Sequence, residues 1–190
     1  KAYPVFANLS LPTSVMAAGE NTLAKVSASS VGGTVGLYRI VWTVAVSAGP
    51  QIASASNFKL LEDGIDVTSS LGSFATASYN FNKATGGTGQ VAYTFTAERP
   101  ISSAKVYELV GTVSGTLAAN NTISTKIANP KTTVASAVTD DAVDVAGTLG
   151  ATSASVVWTD QSSATHSLTS TDWMNDFLIK TINVSQVLTK

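Results

Sequence analysis

The 190-residue chain has no cysteine, which removes disulfides and thiolate metal sites. It has one histidine, His166, so the usual zinc ligand sets cannot be filled. Charged residues make up only 12%, and the formal net charge is -1. That balance excludes the basic footprint of a nucleic-acid or anionic-membrane partner. The two arginines, Arg39 and Arg99, are not joined by a basic stripe. No run approaches the roughly 18–20 apolar residues of a membrane helix, so no membrane span is expected. Neither a Gly-x-Ser-x-Gly elbow nor an Asp-x-Asp-x-Asp-Gly loop occurs.

What is present is a hydroxyl-rich β pattern. Ser and Thr supply about a quarter of the residues, laid over alternating Val, Ala and aromatic positions. Such alternation suits a pleated surface with one buried face. Hydrophobic residues at 44% are enough for a core, which argues against disorder. Strands are expected at Leu23–Ser29, Val35–Val46, Asn57–Leu61, Ile65–Val67, Phe74–Phe81, Val91–Thr96, Ala104–Val113, Thr122–Ile127, Ser153–Trp158 and Phe177–Val187. Asp63-Gly64 is a hairpin signal. In the longest strand the even positions from Tyr38 to Val46 are expected to share one apolar face, with Trp42 in the core.

About ten short strands at this spacing predict an all-β, antiparallel immunoglobulin-like β-sandwich. One short helical turn is expected near residues 171–176, capped by Ser170 or Asp172. Residues 1–12 read as an extended amino-terminal arm or edge strand, since Pro4 suits only an edge or first strand. Residues 13–190 read as a single elaborated sandwich domain. The alternative is two small β domains split near 97–101 or 129–131.

Candidate sites are few. His166 lies in a polar stretch, where a locally hydrogen-bonded loop residue is the plainer reading than a catalytic base. No carboxylate pair is brought together by sequence, so no catalytic residue is assigned and no enzyme is expected. Asp140, Asp141 and Asp144 are the best candidate for calcium, although solvated turn carboxylates explain them as well. No other cofactor or metal is expected. Trp42 and Trp158 sit within apolar strands, whereas Trp173 stands beside Asp172 and Asn175 and is the one aromatic expected to meet a ligand. The sequons at Asn8, Asn120 and Asn183 arise readily by chance in such a composition.

Three stretches carry a family resemblance. Lys1 and Pro4 are followed by Leu11-Pro12-Thr13-Ser14 and Gly19. Lys105-Val-Tyr-Glu-Leu-Val-Gly-Thr-Val-Ser-Gly115 leads to Thr122-Ile-Ser-Thr125. Val157-Trp-Thr-Asp-Gln-Ser-Ser-Ala-Thr-His-Ser-Leu168 precedes Thr171-Asp-Trp-Met-Asn175 and Leu178-Ile-Lys180. Together they resemble the Ser/Thr-rich immunoglobulin-like β domains of exported surface proteins from candidate phyla radiation (Patescibacteria) bacteria. The resemblance implies a cell-wall, S-layer-like or appendage protein and transfers no catalytic residues.

The function expected is an extracellular structural protein that self-assembles into a pilus-like filament or an S-layer-like lattice. Its partners are then copies of itself, joined by amino-terminal strand addition with Tyr3, Val5, Phe6, Leu9 and Leu11 as interface candidates. The alternative is a surface carbohydrate-binding or adhesin module whose partners are surface glycans. Lys1 is not a methionine, which removal of a signal peptide explains most simply and an engineered start almost as well. The expected location is therefore extracellular or at the cell surface.

Overall fold

The structure, a computed structural model, describes residues 2–77, 85–130, 154–168, 170 and 172–190. The alternating pattern becomes thirteen strands among these residues. They are β1 (Tyr3–Asn8), β2 (Gly19–Val31), β3 (Val35–Val46), β4 (Pro50–Gln51), β5 (Phe58–Glu62), β6 (Ile65–Asp66) and β7 (Gly72–Ala77). There follow β8 (Gly87–Ile101), β9 (Lys105–Gly115), β10 (Thr122–Ile127), β11 (Val156–Thr159), β12 (Trp173–Asn175) and β13 (Gln186–Thr189).

Two sheets result. The first has the order β1-β2-β9-β5-β6, with β4 pairing β9. The second is built on β3, whose residues 36–40 pair β11 and 42–46 pair β10, while β8 pairs it from Val35 to Val46. A strand has two edges, so β10 and β11 share one edge of β3 and β8 takes the other. From there β7 extends β8, β12 extends β11 and β13 extends β10. All these pairings are antiparallel. One parallel bridge, Val15 to Thr189, ties the link between β1 and β2 to the opposite sheet.

The sheets pack as an antiparallel β-sandwich over a single large core. It draws side chains from Met16 to Leu188, including Trp42, Phe58, Leu60, Tyr93, Phe95, Tyr107 and Trp158. Residues on both sides of 97–101 and of 129–130 contribute, and β8 runs unbroken through the first of these positions. Asp63 and Gly64, both at positive φ, make the hairpin turn between β5 and β6.

The structure corrects the expected strand Phe177–Val187, since β13 covers only Gln186–Thr189, and two further expectations. Tyr38 does not share the face of Ile40, Trp42, Val44 and Val46. The pairing of β3 with β8 shifts between Leu37 and Arg39, where Tyr38 on β3 faces the four residues 95–98 on β8. A bulge reverses the inside–outside parity. Val35 and Leu37 therefore join Ile40 and Trp42 in the core, while Tyr38 packs with Ala154, Val157 and Trp173. The helical turn expected near 171–176 is also absent where described: Trp173–Asn175 is strand β12, paired with β11. Trp158 opposite Met174 and Thr159 opposite Trp173 give this segment cross-strand partners that a lone turn would lack.

The amino-terminal arm is β1, paired along its length with β2 of its own chain. Tyr3, Phe6 and Leu11 lie against the core, and Val5 and Leu9 are half-buried. The Leu9 N–H donates to Lys25 O at 2.9 Å, which fixes the parity of the ladder. Odd residues of β1 turn their N–H toward β2, so Pro4 places its missing donor on the outer edge. At Leu9 the ladder is opened by one side chain. Gln186 Oε1 accepts the Lys25 N–H at 2.6 Å, and its Nε2 donates to Leu9 O. A carboxamide from β13 thus stands in for a peptide group where β1 leaves β2.

Candidate functional site

A cluster of polar side chains lies where the bulge of β8 meets the ends of β11 and β12. Glu98 sits on that bulge, and the next strand inward supplies the space for it. A Cβ on Gly36 would stand 2.8 Å from both Glu98 Oε2 and Thr159 Cγ2. Glycine on β3 is therefore what lets a carboxylate lie over the sheet here.

His166 bridges from that carboxylate to a second one. Its Nε2 is 2.7 Å from Glu98 Oε2 and its Nδ1 is 2.8 Å from Asp172 Oδ2. Asp172 is buried and also accepts from Thr159 Oγ1 at 2.9 Å and from the Ser170 hydroxyl. Gln161 Nε2 donates to Glu98 Oε1 at 2.6 Å. With a carboxylate oxygen on each ring nitrogen, the geometry accommodates the doubly protonated imidazolium. Burial opposes that charge, but hydrogen bonds and attraction from Glu98 and Asp172 outweigh it and hold the His166 pKa above its ordinary value. Burial likewise works against the Asp172 carboxylate. Hydrogen bonds from Ser170, Thr159 and His166 nevertheless keep its pKa below the ordinary range.

Trp173 closes one side. It is 4% exposed, its ring centroid lies 5.1 Å from that of His166 and 5.3 Å from Tyr38, and its Nε1 donates to Ser167 O at 2.8 Å. Trp42 and Trp158 are buried as well. The aromatic expected to meet a ligand is instead a wall of this centre. A pocket of about 260 Å³ lies against it, lined by Glu98, His166, Leu168 and Trp173 among others.

Each imidazole nitrogen faces a carboxylate oxygen, so His166 spans the two acids. The Ser170 hydroxyl bonds Asp172 and lies 2.7 Å from Ser167 O, within its own turn. Among the described residues no group of three or more His, Cys, Asp and Glu is disposed to hold a metal ion. The calcium candidates Asp140, Asp141 and Asp144 lie outside the described residues.

A second carboxylate centre sits on the opposite face of β8. Arg99, next to Glu98 in the chain, donates to Glu62 from Nε at 3.1 Å and Nη2 at 2.6 Å. Lys105 Nζ and the Tyr107 hydroxyl add bonds of 2.9 and 3.1 Å to the same carboxylate. Burial raises the Glu62 pKa, but these cations outweigh it and the net shift is downward. Burial first, and then Glu62, push the Tyr107 hydroxyl pKa up.

Sequence reasoning missed Glu98 and Asp172 as partners of His166. The partners are 68 and 6 residues from it, and only the bulge in β8 brings the distant one into reach. A second pocket, of about 490 Å³, opens between β5 and β7 over Phe58 and Phe74, with Ser56, Thr68, Ser69 and Ser73 around it. No protein-family model and no curated protein matches the chain.

Proposed function

We propose that the chain is an extracellular structural subunit that assembles with copies of itself through its amino-terminal strand, and that it is not an enzyme. The observation that carries this reading is the position of β1. It is the first strand, it lies at the edge of its sheet, and its ladder is made with β2 alone. A ten-residue connection containing Pro12 joins it to β2, long enough for β1 to pair with β2 of a neighbouring copy. Exchange in this way conserves every ladder bond and needs no new surface. The resemblance to exported surface domains points the same way. Burial of all three tryptophans counts against a tryptophan platform for glycans.

The test uses the absence of cysteine. Val5 and Ser29 are paired in register, as a hydrogen-bonded pair by the parity that Leu9 sets. The Cα separation of about 5.5 Å in such pairs lies within the disulfide range. Oxidised Val5→Cys/Ser29→Cys locks β1 onto its own β2 and is expected to stay monomeric, with assembly returning on reduction. Unchanged assembly of the oxidised protein rules out strand exchange.

A further inference from the structure

We infer that His166 is a proton-operated latch: as an imidazolium it ties Asp172 at the head of β12 to Glu98 on β8, and as a neutral imidazole it lets one of them go. The span makes this consequential. Along the sheet the order is β12, β11, β3, β8, so one side chain joins strands separated by two others. Beneath it, Thr159 of β11 and Gly36 of β3 are cross-strand partners.

Each neighbouring element turns polar groups toward the ring. The bulge of β8 offers Glu98, the approach to β12 offers Asp172, and the end of β11 offers Thr159 and Gln161, which hold those carboxylates. Ser170 stands 3.5 Å from Nδ1 and also bonds Asp172. The charges facing the ring in this set are both negative. A neutral imidazole carries one N–H and one lone pair, so it can donate to only one of the two carboxylates. The other then faces a lone pair at hydrogen-bond distance, and two carboxylates lose the positive charge between them. The weaker attachment is the one on Glu98, whose side chain is 21% exposed against 3% for Asp172. Raising the pH therefore releases the Glu98 side chain first, opening the pocket that it lines with His166 and Trp173.

The sign of the effect follows from the direction of the shift. The folded pKa lies above the ordinary value, so the latch is fully closed below the latter and is lost as pH rises through the former. On the acid side, the lowered pKa of Asp172 keeps that anchor charged below the ordinary carboxylate range.

A single histidine makes the test clean. The ring protons of His166 are followed by NMR against pH while Trp173 emission and acrylamide quenching are recorded, the protonated imidazole beside the indole acting as quencher. The expected result is a midpoint above 6.5, the ordinary histidine value, with quenching by acrylamide rising above that midpoint. Glu98→Gln is expected to lower the midpoint, and Trp173→Phe to remove the emission step while the NMR midpoint stays. A wild-type midpoint at or below 6.5, a midpoint unmoved by Glu98→Gln, or acrylamide access that is flat across it overturns the latch. The wild-type titration decides even if a variant does not fold.

Discussion

Glu98 and Arg99 are consecutive on β8 and point to opposite sides, and each belongs to a partly buried charge centre of a different kind. On one side Arg99 and Lys105 surround Glu62; on the other Glu98 and Asp172 surround His166. The stoichiometry is inverted: two cations on one anion, against one cation between two anions. The decisive difference is which member titrates near neutrality. Arg and Lys keep their charge there, whereas an imidazole gains or loses its own within that range. The same backbone thus carries one permanent brace and one conditional brace.

The largest loss is expected at Glu62. Glu62→Gln strips two partly buried cations of their charged partner, and the expected loss is about 3 kcal/mol in urea unfolding. The Glu62 pKa is lowered, so its contribution is present above the ordinary carboxylate range and lost only as pH falls through the folded value. The loss should therefore be the same on either side of neutrality. A strong dependence between about pH 6 and 9 would place it outside the titration range of these groups and refute the contrast.

Gly36→Ala attacks the other centre through its floor. The added methyl meets the Glu98 carboxylate and the Thr159 methyl, an overpacking expected to cost about 2 kcal/mol and to lower the His166 midpoint. A stability loss with the midpoint intact would show that glycine serves packing alone. His166→Gln comes next, at about 1–2 kcal/mol for two charge-assisted bonds at a partly exposed ring. This loss should shrink as pH rises through the folded histidine pKa, the dependence that Glu62→Gln lacks. The smallest effect is expected at the solvent-exposed Glu20–Lys59 pair, where Glu20→Gln should leave the denaturation midpoint unmoved.

What the sequence revealed, and what it hid, follows the range of the interactions. Thr122–Ile127 and Val35–Val46 were readable because alternation and flanking turns act within a few residues. Asp63-Gly64 was readable because a two-residue turn needs positive φ. Tyr38 was misplaced because the bulge that turns it is set by pairing with residues more than fifty positions away. The stretch near 171–176 reads as a helical turn in sequence because the strand at Trp173–Asn175 exists only through pairing with β11. Phe177–Val187 was expected as strand, whereas β13 covers Gln186–Thr189. The charge centres were illegible for the same reason. Glu98, Arg99 and Asp172 are ordinary charged residues in sequence, and only the sheet order gives each its counter-ion.

The most direct test of the structural role is negative-stain microscopy of the purified chain, paired with sedimentation over a range of concentrations. A structural subunit predicts larger species at higher concentration and filaments or sheets with a regular repeat. A monodisperse monomer at every concentration, with no ordered assemblies on the grid, would contradict it.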